Sequence, residues 1–213
     1  MSETPGKDAA AGVLPTDELS ALDRYQLVTS LVVPRPIGWL STRSADGRDN
    51  LAPFSFFAAL SATPVLLGAS IGSRRGVPKD SLVNIRETGA FCVNVVTEPQ
   101  LEAMNATSAD VAPEVDEFEL AGLPMARASL VDAPYVATCP AVFECRLFRE
   151  VDLGDAAATL IIGEAVAIRL NAALEFREGT RFVEPRSLRP VGRLLGSAYA
   201  GLGELVELPR PPA

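Results

Sequence analysis

Apolar residues along the chain fall into short runs separated by polar, Gly- or Pro-containing breaks, a punctuation typical of strands. Ile37 to Thr42 is apolar with β-branched and aromatic members, and Asn50 to Phe57 resumes after a polar break. Between them Ser44-Ala45-Asp46-Gly47 offers an Asp-Gly pair that tolerates positive φ, so the stretch predicts a hairpin. Val65 to Ile71 reads as a buried strand and Phe91 to Val96 as the clearest strand of the chain. Ala141 to Val151 and Ala158 to Leu170 are long strand candidates rich in Val, Ile and Phe, with Gly154-Asp155 between them as a second turn.

Helical signals are fewer. Thr16 to Leu22 predicts a short helix capped by Thr16 or Asp17, and Glu98 to Met104 predicts another. Residues 81–88 predict a helix with Asp80 or Ser81 as N-cap, Leu82 and Ile85 as its apolar stripe, and Gly89 at C′. Tyr25 to Val33 is apolar around Thr29-Ser30 and fits helix or strand, until Pro34 and Pro36 impose extended backbone. Strands outnumber helices, and strand–helix alternation is missing after residue 105. The pattern therefore predicts a mainly β protein, a β-barrel with a few covering helices, and not a doubly wound parallel sheet.

Composition narrows the class. At 213 residues, 48% hydrophobic, the chain has ample material for one core. The expected division is a partly disordered leader over residues 1–22, a barrel domain over 23–200 and an extended Pro-rich tail over 201–213. A net charge of −8 argues against a nucleic-acid surface. No apolar run is long enough to cross a bilayer and the first residues do not read as a signal peptide, so a cytoplasmic location is expected.

The absence of histidine removes Ser-His-Asp and Cys-His nucleophile activation and His-ligated metals. Cys92, Cys139 and Cys145 have no metal-like spacing and read as reduced core thiols, so no metal is expected. Chemistry must come from carboxylates, arginines, hydroxyls or a borrowed cofactor.

The start of the 81–88 helix is the best candidate site. Unpaired amides and the positive dipole end attract an anion there, beside Lys79, Arg74, Arg75 and the Ser81 hydroxyl. Lys79 is one of only two lysines, the other being Lys7. Against this stands the plainer reading of a solvated basic loop before an ordinary helix. Gly68, Gly72 and Gly76 match neither the dinucleotide fingerprint nor the P-loop, and instead let the backbone bend. Trp39 reads first as a core aromatic. Glu117, Glu144 and Glu164 read as structural partners of arginines such as Arg146, Arg169 or Arg193.

Val32-Val33-Pro34-Arg35-Pro36-Ile37-Gly38-Trp39-Leu40-Ser41-Thr42, Asp46-Gly47 and Asn50-Leu51-Ala52-Pro53-Phe54-Ser55-Phe56-Phe57 form an ordered set with Lys79-Asp80-Ser81 and Asn84-Ile85. With Glu117-Phe118, Ala121-Gly122-Leu123, Glu144-Cys145, Gly163-Glu164, Arg193-Leu194 and Tyr199, this set resembles the flavin reductase-like, FMN-binding split-barrel family. The resemblance implies a homodimeric FMN-binding split barrel with the flavin near the subunit interface. It further implies flavin reduction by NADH or NADPH, the flavin carrying the chemistry and no catalytic side chain being identified. Arg35, Pro36, Trp39, Ala52, Pro53, Phe54 and Ser55 would line the ring, and Ser70, Ile71, Gly72, Lys79, Asp80 and Ser81 would hold the phosphate end. Within that end Asp80 would cap the helix and orient Lys79, since two anions repel.

The alternatives are a flavoredoxin-like FMN electron carrier and a non-catalytic flavin-binding module; the protein partner, beyond a second copy, would be a monooxygenase or a redox protein. The family often has Asn where this chain has Ala58, and His near the position of Arg169. Those two departures bear on activity more than on FMN binding.

Overall fold

The computed structural model describes residues 12–73, 76–154 and 158–211. Residues 1–11 of the predicted leader, together with Arg74, Arg75, Asp155 and Pro212, lie outside the described residues.

Helix α1 (Ala21–Leu31) is followed by β1 (Arg35–Pro36), β2 (Gly38–Arg43), β3 (Asp49–Phe54), β4 (Phe57–Ala62) and β5 (Val65–Gly72). Helix α2 (Asp80–Thr88), β6 (Ala90–Val95), a 3-10 turn (Glu98–Gln100), α3 (Leu101–Ala106) and α4 (Glu117–Leu120) come next. The chain then runs through β7 (Met125–Arg127), β8 (Pro134–Val136), β9 (Ala141–Asp152), β10 (Ala158–Leu170), α5 (Pro185–Leu188), β11 (Gly192–Arg193) and β12 (Tyr199–Ala200).

Seven strands form one antiparallel sheet in the order β3-β2-β6-β9-β10-β5-β4. Its two outermost strands are consecutive in sequence, joined only through Ser55 and Phe56, and the Ser70 amide donates to the Phe56 carbonyl at 2.8 Å. The sheet must therefore curl until its ends meet at this corner, which makes a mainly β barrel as expected.

Successive side chains on a strand point to opposite faces, and here both faces are covered. Leu40, Ile71, Phe91 and Ile161 pack inside the barrel with Leu82 and Ile85 of α2. Trp39, Cys92 and Val142 face an outer layer built by Met104, Phe118 and Val136. Double burial explains why β2 and β6 read as nearly continuous apolar runs, each large side chain contributing roughly 1.5–3 kcal/mol.

The predicted hairpin at residues 44–47 forms, with Gly47 at φ 91° and its amide bonded to the Ser44 carbonyl. Several expectations change. Residues 16–18 are a turn, and the helix starts at Ala21 with Ser20 as cap, so Thr16 and Asp17 cap nothing. Tyr25 to Leu31 is helical. The run from Asn50 to Phe57 breaks at Ser55–Phe56 and a further strand, β4, follows. Lys79 is the N-cap of α2, with no side chain capping it, so Asp80 and Ser81 are its first helical residues. Gly89 does terminate it, at φ 67°. Among the described residues no helix is long and apolar enough to cross a membrane.

Candidate functional site

Helix α2 begins beside the second half of β3. Its first intrahelical bonds run from the Leu82 and Val83 amides to the Lys79 carbonyl, leaving the amides of Asp80 and Ser81 ahead of the ladder. With Ala52 and Pro53 of β3 and residues 107–113, this helix start encloses a cavity of about 240 Å³. Among the described residues the Lys79 ammonium has no hydrogen-bond or ion-pair partner, and it lies 5.3 Å from the Phe54 ring centroid.

Beneath that cation the floor is a buried polar network. Glu117 accepts from Asn50 Nδ2 at 3.0 and 3.1 Å and from the Leu51 amide at 3.0 Å. Asn50 Oδ1 in turn accepts the hydroxyl protons of Ser81 at 2.6 Å and Thr42 at 3.3 Å. Burial pushes the Glu117 carboxyl above its ordinary value, against the pull of the Leu51 amide and Asn50. Its partners are thus an amide side chain and a backbone amide, not the arginine expected for it.

A second cavity of about 340 Å³ lies past the β3–β4 corner, where Ser55 and Phe56 take over from Pro53. Val32, Phe57, Leu60 and Leu160 make it apolar, with Ser55 and Ser70 at its wall. Arg35 lines it too, 6% exposed, donating to the carbonyls of Thr29 (2.5 Å), Val32 (3.0 Å) and Leu194 (2.7 Å). Its Nε has no partner.

The fold thus gathers Ala52, Pro53, Lys79, Asp80 and Ser81 round the first cavity, and Arg35, Pro36, Ser55 and Ser70 round the second. Trp39 lines neither. It is fully buried behind the first cavity, its Nε1 donating to Thr107 Oγ1 at 2.9 Å. Phe54 and Ile71 face the barrel interior, and Gly72 ends β5 outside both linings. Asn50, Glu117, Thr107 and Ser108 were not foreseen as walls of the site. Residues 107–113 read locally as a polar loop, and only the fold brings them to α2.

Three cysteines lie in the core, where burial pushes Cys139 and Cys145 up to about 12 and Cys92 in the same direction. None is a thiolate near neutrality. Arg169 is committed elsewhere: it donates to Glu144 at 3.0 Å and Ser129 Oγ at 2.6 Å, and stacks over Tyr135 at 4.7 Å. Ala58 stands on β4 at the rim of the second cavity. Arg193 holds Tyr199 and the Gly196 carbonyl rather than a glutamate.

Comparison with known proteins agrees with this architecture. The flavin reductase like domain model matches residues 30–183. An uncharacterized protein of Halalkalibacterium halodurans is 38% identical over 203 residues, 93% of this chain and 96% of that one. Nitrilotriacetate monooxygenase component B from Bacillus cereus superimposes with a TM-score of 0.88 at 32% identity, covering 93% of this chain and 99% of that one. For 2-nitrobenzoate 2-nitroreductase of Pseudomonas fluorescens the values are 0.84 and 29%, covering 94% and 96%. Solved flavin reductase-like proteins share the split-barrel architecture. The domain match spans most of the chain and the solved structures superimpose over nearly all of it, so the chain belongs to the flavin reductase-like, FMN-binding split-barrel family.

Proposed function

We propose that the protein binds FMN and acts as an NAD(P)H-dependent flavin oxidoreductase. The observation that carries this reading is the free Lys79 ammonium at the start of α2, over a cavity continuous with the β3 strand end. That donor set suits a phosphate monoester: a cation, two leading helix amides and the dipole of a nine-residue helix. The apolar cavity past the β3–β4 corner suits the flat ring, with Ser55, Ser70 and Arg35 as its polar groups.

FMN held between Lys79 with the α2 amides and the apolar cavity would supply the redox chemistry, two-electron exchange with a nicotinamide. The chain's own residues orient and shield. Lys79 and the α2 amides fix the phosphate in the cavity walled by Ala52 and Pro53. Arg35 supplies positive charge at the edge of an otherwise apolar space. With no histidine and no ionised thiol, the protein adds orientation and electrostatics, not proton transfer.

A second reading is favoured by the likeness to nitrilotriacetate monooxygenase component B: reduced flavin leaves this chain for a separate oxygenase. One experiment tests both. The purified protein, loaded with FMN under anaerobic conditions, is expected to lose its visible flavin absorbance when NADH or NADPH is added. Turnover of excess FMN marks a reductase, whereas bleaching of a single equivalent marks a carrier. Protein that neither quenches FMN fluorescence nor retains FMN on gel filtration refutes the reading.

A further inference from the structure

Arg193 and Tyr199 line neither cavity, yet the fold connects the two cavities through them. Antiparallel pairing sets Arg35 opposite Arg193, and Arg193 opposite Tyr199. From the second cavity, Arg35 Nη2 donates to the Leu194 carbonyl at 2.7 Å. The Arg193 guanidinium lies 4.5 Å from the Tyr199 ring centroid and donates to the Tyr199 hydroxyl and the Gly196 carbonyl. A phenol oxygen that accepts from a guanidinium keeps its own proton to give. Tyr199 gives it to Asn105 Oδ1 at 2.9 Å.

Asn105 stands in the last turn of α3, just ahead of the first cavity's wall at Thr107, Ser108 and Ala109. Its carbonyl accepts from the Ser108 amide at 3.1 Å and from the Ser108 hydroxyl at 2.6 Å. Thr107 Oγ1 accepts from Trp39 Nε1 at 2.9 Å. Helix α3 has six residues, too few for its own ladder to hold its end in place. The Tyr199 bond ties that end to the β11–β12 hairpin, and the Tyr199 ring packs against the same outer core layer as Leu101 of α3.

We propose that the β11–β12 hairpin clamps the site, with Tyr199 as a positioning residue that acts through Asn105 on the wall at residues 107–109. Arg193 in turn fixes the Tyr199 ring and leaves its proton for Asn105. Tyr199 touches no ligand; it sets how long the wall stays closed on one. Only the choice of FMN as the ligand to be released rests on the flavin reading above.

Two readouts in the full chain test the clamp. Trp39 is the only tryptophan, so its indole Nε1–H gives a single resonance that senses the bond to Thr107 and is read without flavin. FMN release is timed by its fluorescence after rapid dilution. Tyr199→Phe keeps the ring and removes only the hydroxyl. It is expected to shift the indole resonance and to speed FMN release about two- to tenfold, the worth of one hydrogen bond, with association unchanged. Asn105→Ala is expected to do the same, and the double variant no more than either alone. Asn105→Asp, which keeps an acceptor for Tyr199, is expected to retain the parent's release rate and resonance.

Parent-like release or an unmoved indole resonance in Tyr199→Phe would overturn the clamp, and so would losses that add in the double variant. A parent protein that binds no FMN refutes the flavin reading instead. The indole resonance of Tyr199→Phe, read without ligand, then decides the clamp by itself.

Discussion

Lys79 and Gly163 show two ways in which single residues matter here. Among the described residues the Lys79 charge has no hydrogen-bond or ion-pair partner and only the Phe54 ring beneath it, so Lys79→Ala should leave the fold intact. It should weaken FMN by roughly 1.5–3 kcal/mol, the usual worth of a charge-assisted contact. Equal affinity of variant and parent in a fluorescence titration would remove Lys79 from the phosphate site. Gly163 is a packing requirement: a Cβ there would meet Phe91 Cζ at 2.2 Å inside the barrel. Gly163→Ala should therefore destabilise the protein by about 1–3 kcal/mol, as overpacking does. A denaturation midpoint equal to the parent's would show that the Phe91 ring moves aside at no cost. The Gly-Glu pair was visible in the sequence as part of a family pattern, but the ring that makes its glycine necessary lies on another strand.

At the scale of elements, β10 and the segment before β8 are held together by Glu144. Its carboxylate is buried, and burial alone would raise its pKa. The Ser129 and Leu130 amides and Arg169 together outweigh that and hold it below the ordinary value. A folded-state pKa below the unfolded one adds stability above the unfolded value, lost as pH falls through the folded one. Glu144→Gln should therefore cost about 1–3 kcal/mol at neutral pH, with the gap to the parent closing as pH drops below about 4. A gap independent of pH in thermal melts would mean that charge is not what Glu144 contributes. Glu117 has the opposite sign, because its pKa is raised by burial: the cost of its charge is present at neutrality and relieved as pH falls. The pairing of Arg169 with Glu144 was among the partners expected for these residues, whereas the Tyr135 stack and the Ser129 bond required the folded loop.

For the whole molecule, apolar runs along the chain do not mark the exposed apolar surface. Val65–Leu67 is half-buried or buried between β4 and β10, and only Leu195 of the Leu194–Leu195 pair is well exposed. Instead α1 turns Leu22, Tyr25, Val28 and Leu31 outward, and Phe56 and Leu60 stand out along β4. A patch of this kind is commonly covered by a second copy in a two-fold dimer. Light scattering at micromolar concentration should give a dimer, and if FMN lies at the junction, removing FMN should loosen it by mass action. A monomer retaining one FMN per chain would place the cofactor away from any interface. The reduction rate should also vary little between about pH 6 and 8, since no histidine is present and the core thiols stay protonated. A steep change centred near neutrality in stopped-flow reduction would reveal an ionising group not yet assigned.

Local chemistry written along the chain was enough for the β-rich class, the Asp46-Gly47 hairpin and the helix ending at Gly89. These depend on residues near one another in sequence: period, turn tolerance and caps. Tertiary structure decided the rest. It showed that Trp39 faces inward, that residues 107–113 close the cavity, and that the β3–β4 corner divides the predicted site residues between two spaces. It also set the Ser81 hydroxyl against Asn50 and the Trp39 indole against Thr107. The physical reason is that a hydroxyl is donor or acceptor according to its partner: Asn50 reaches Ser81 from another strand and Trp39 reaches Thr107 from a third element, whereas the proton acceptors of Thr107 and Ser108 lie three residues back in the chain.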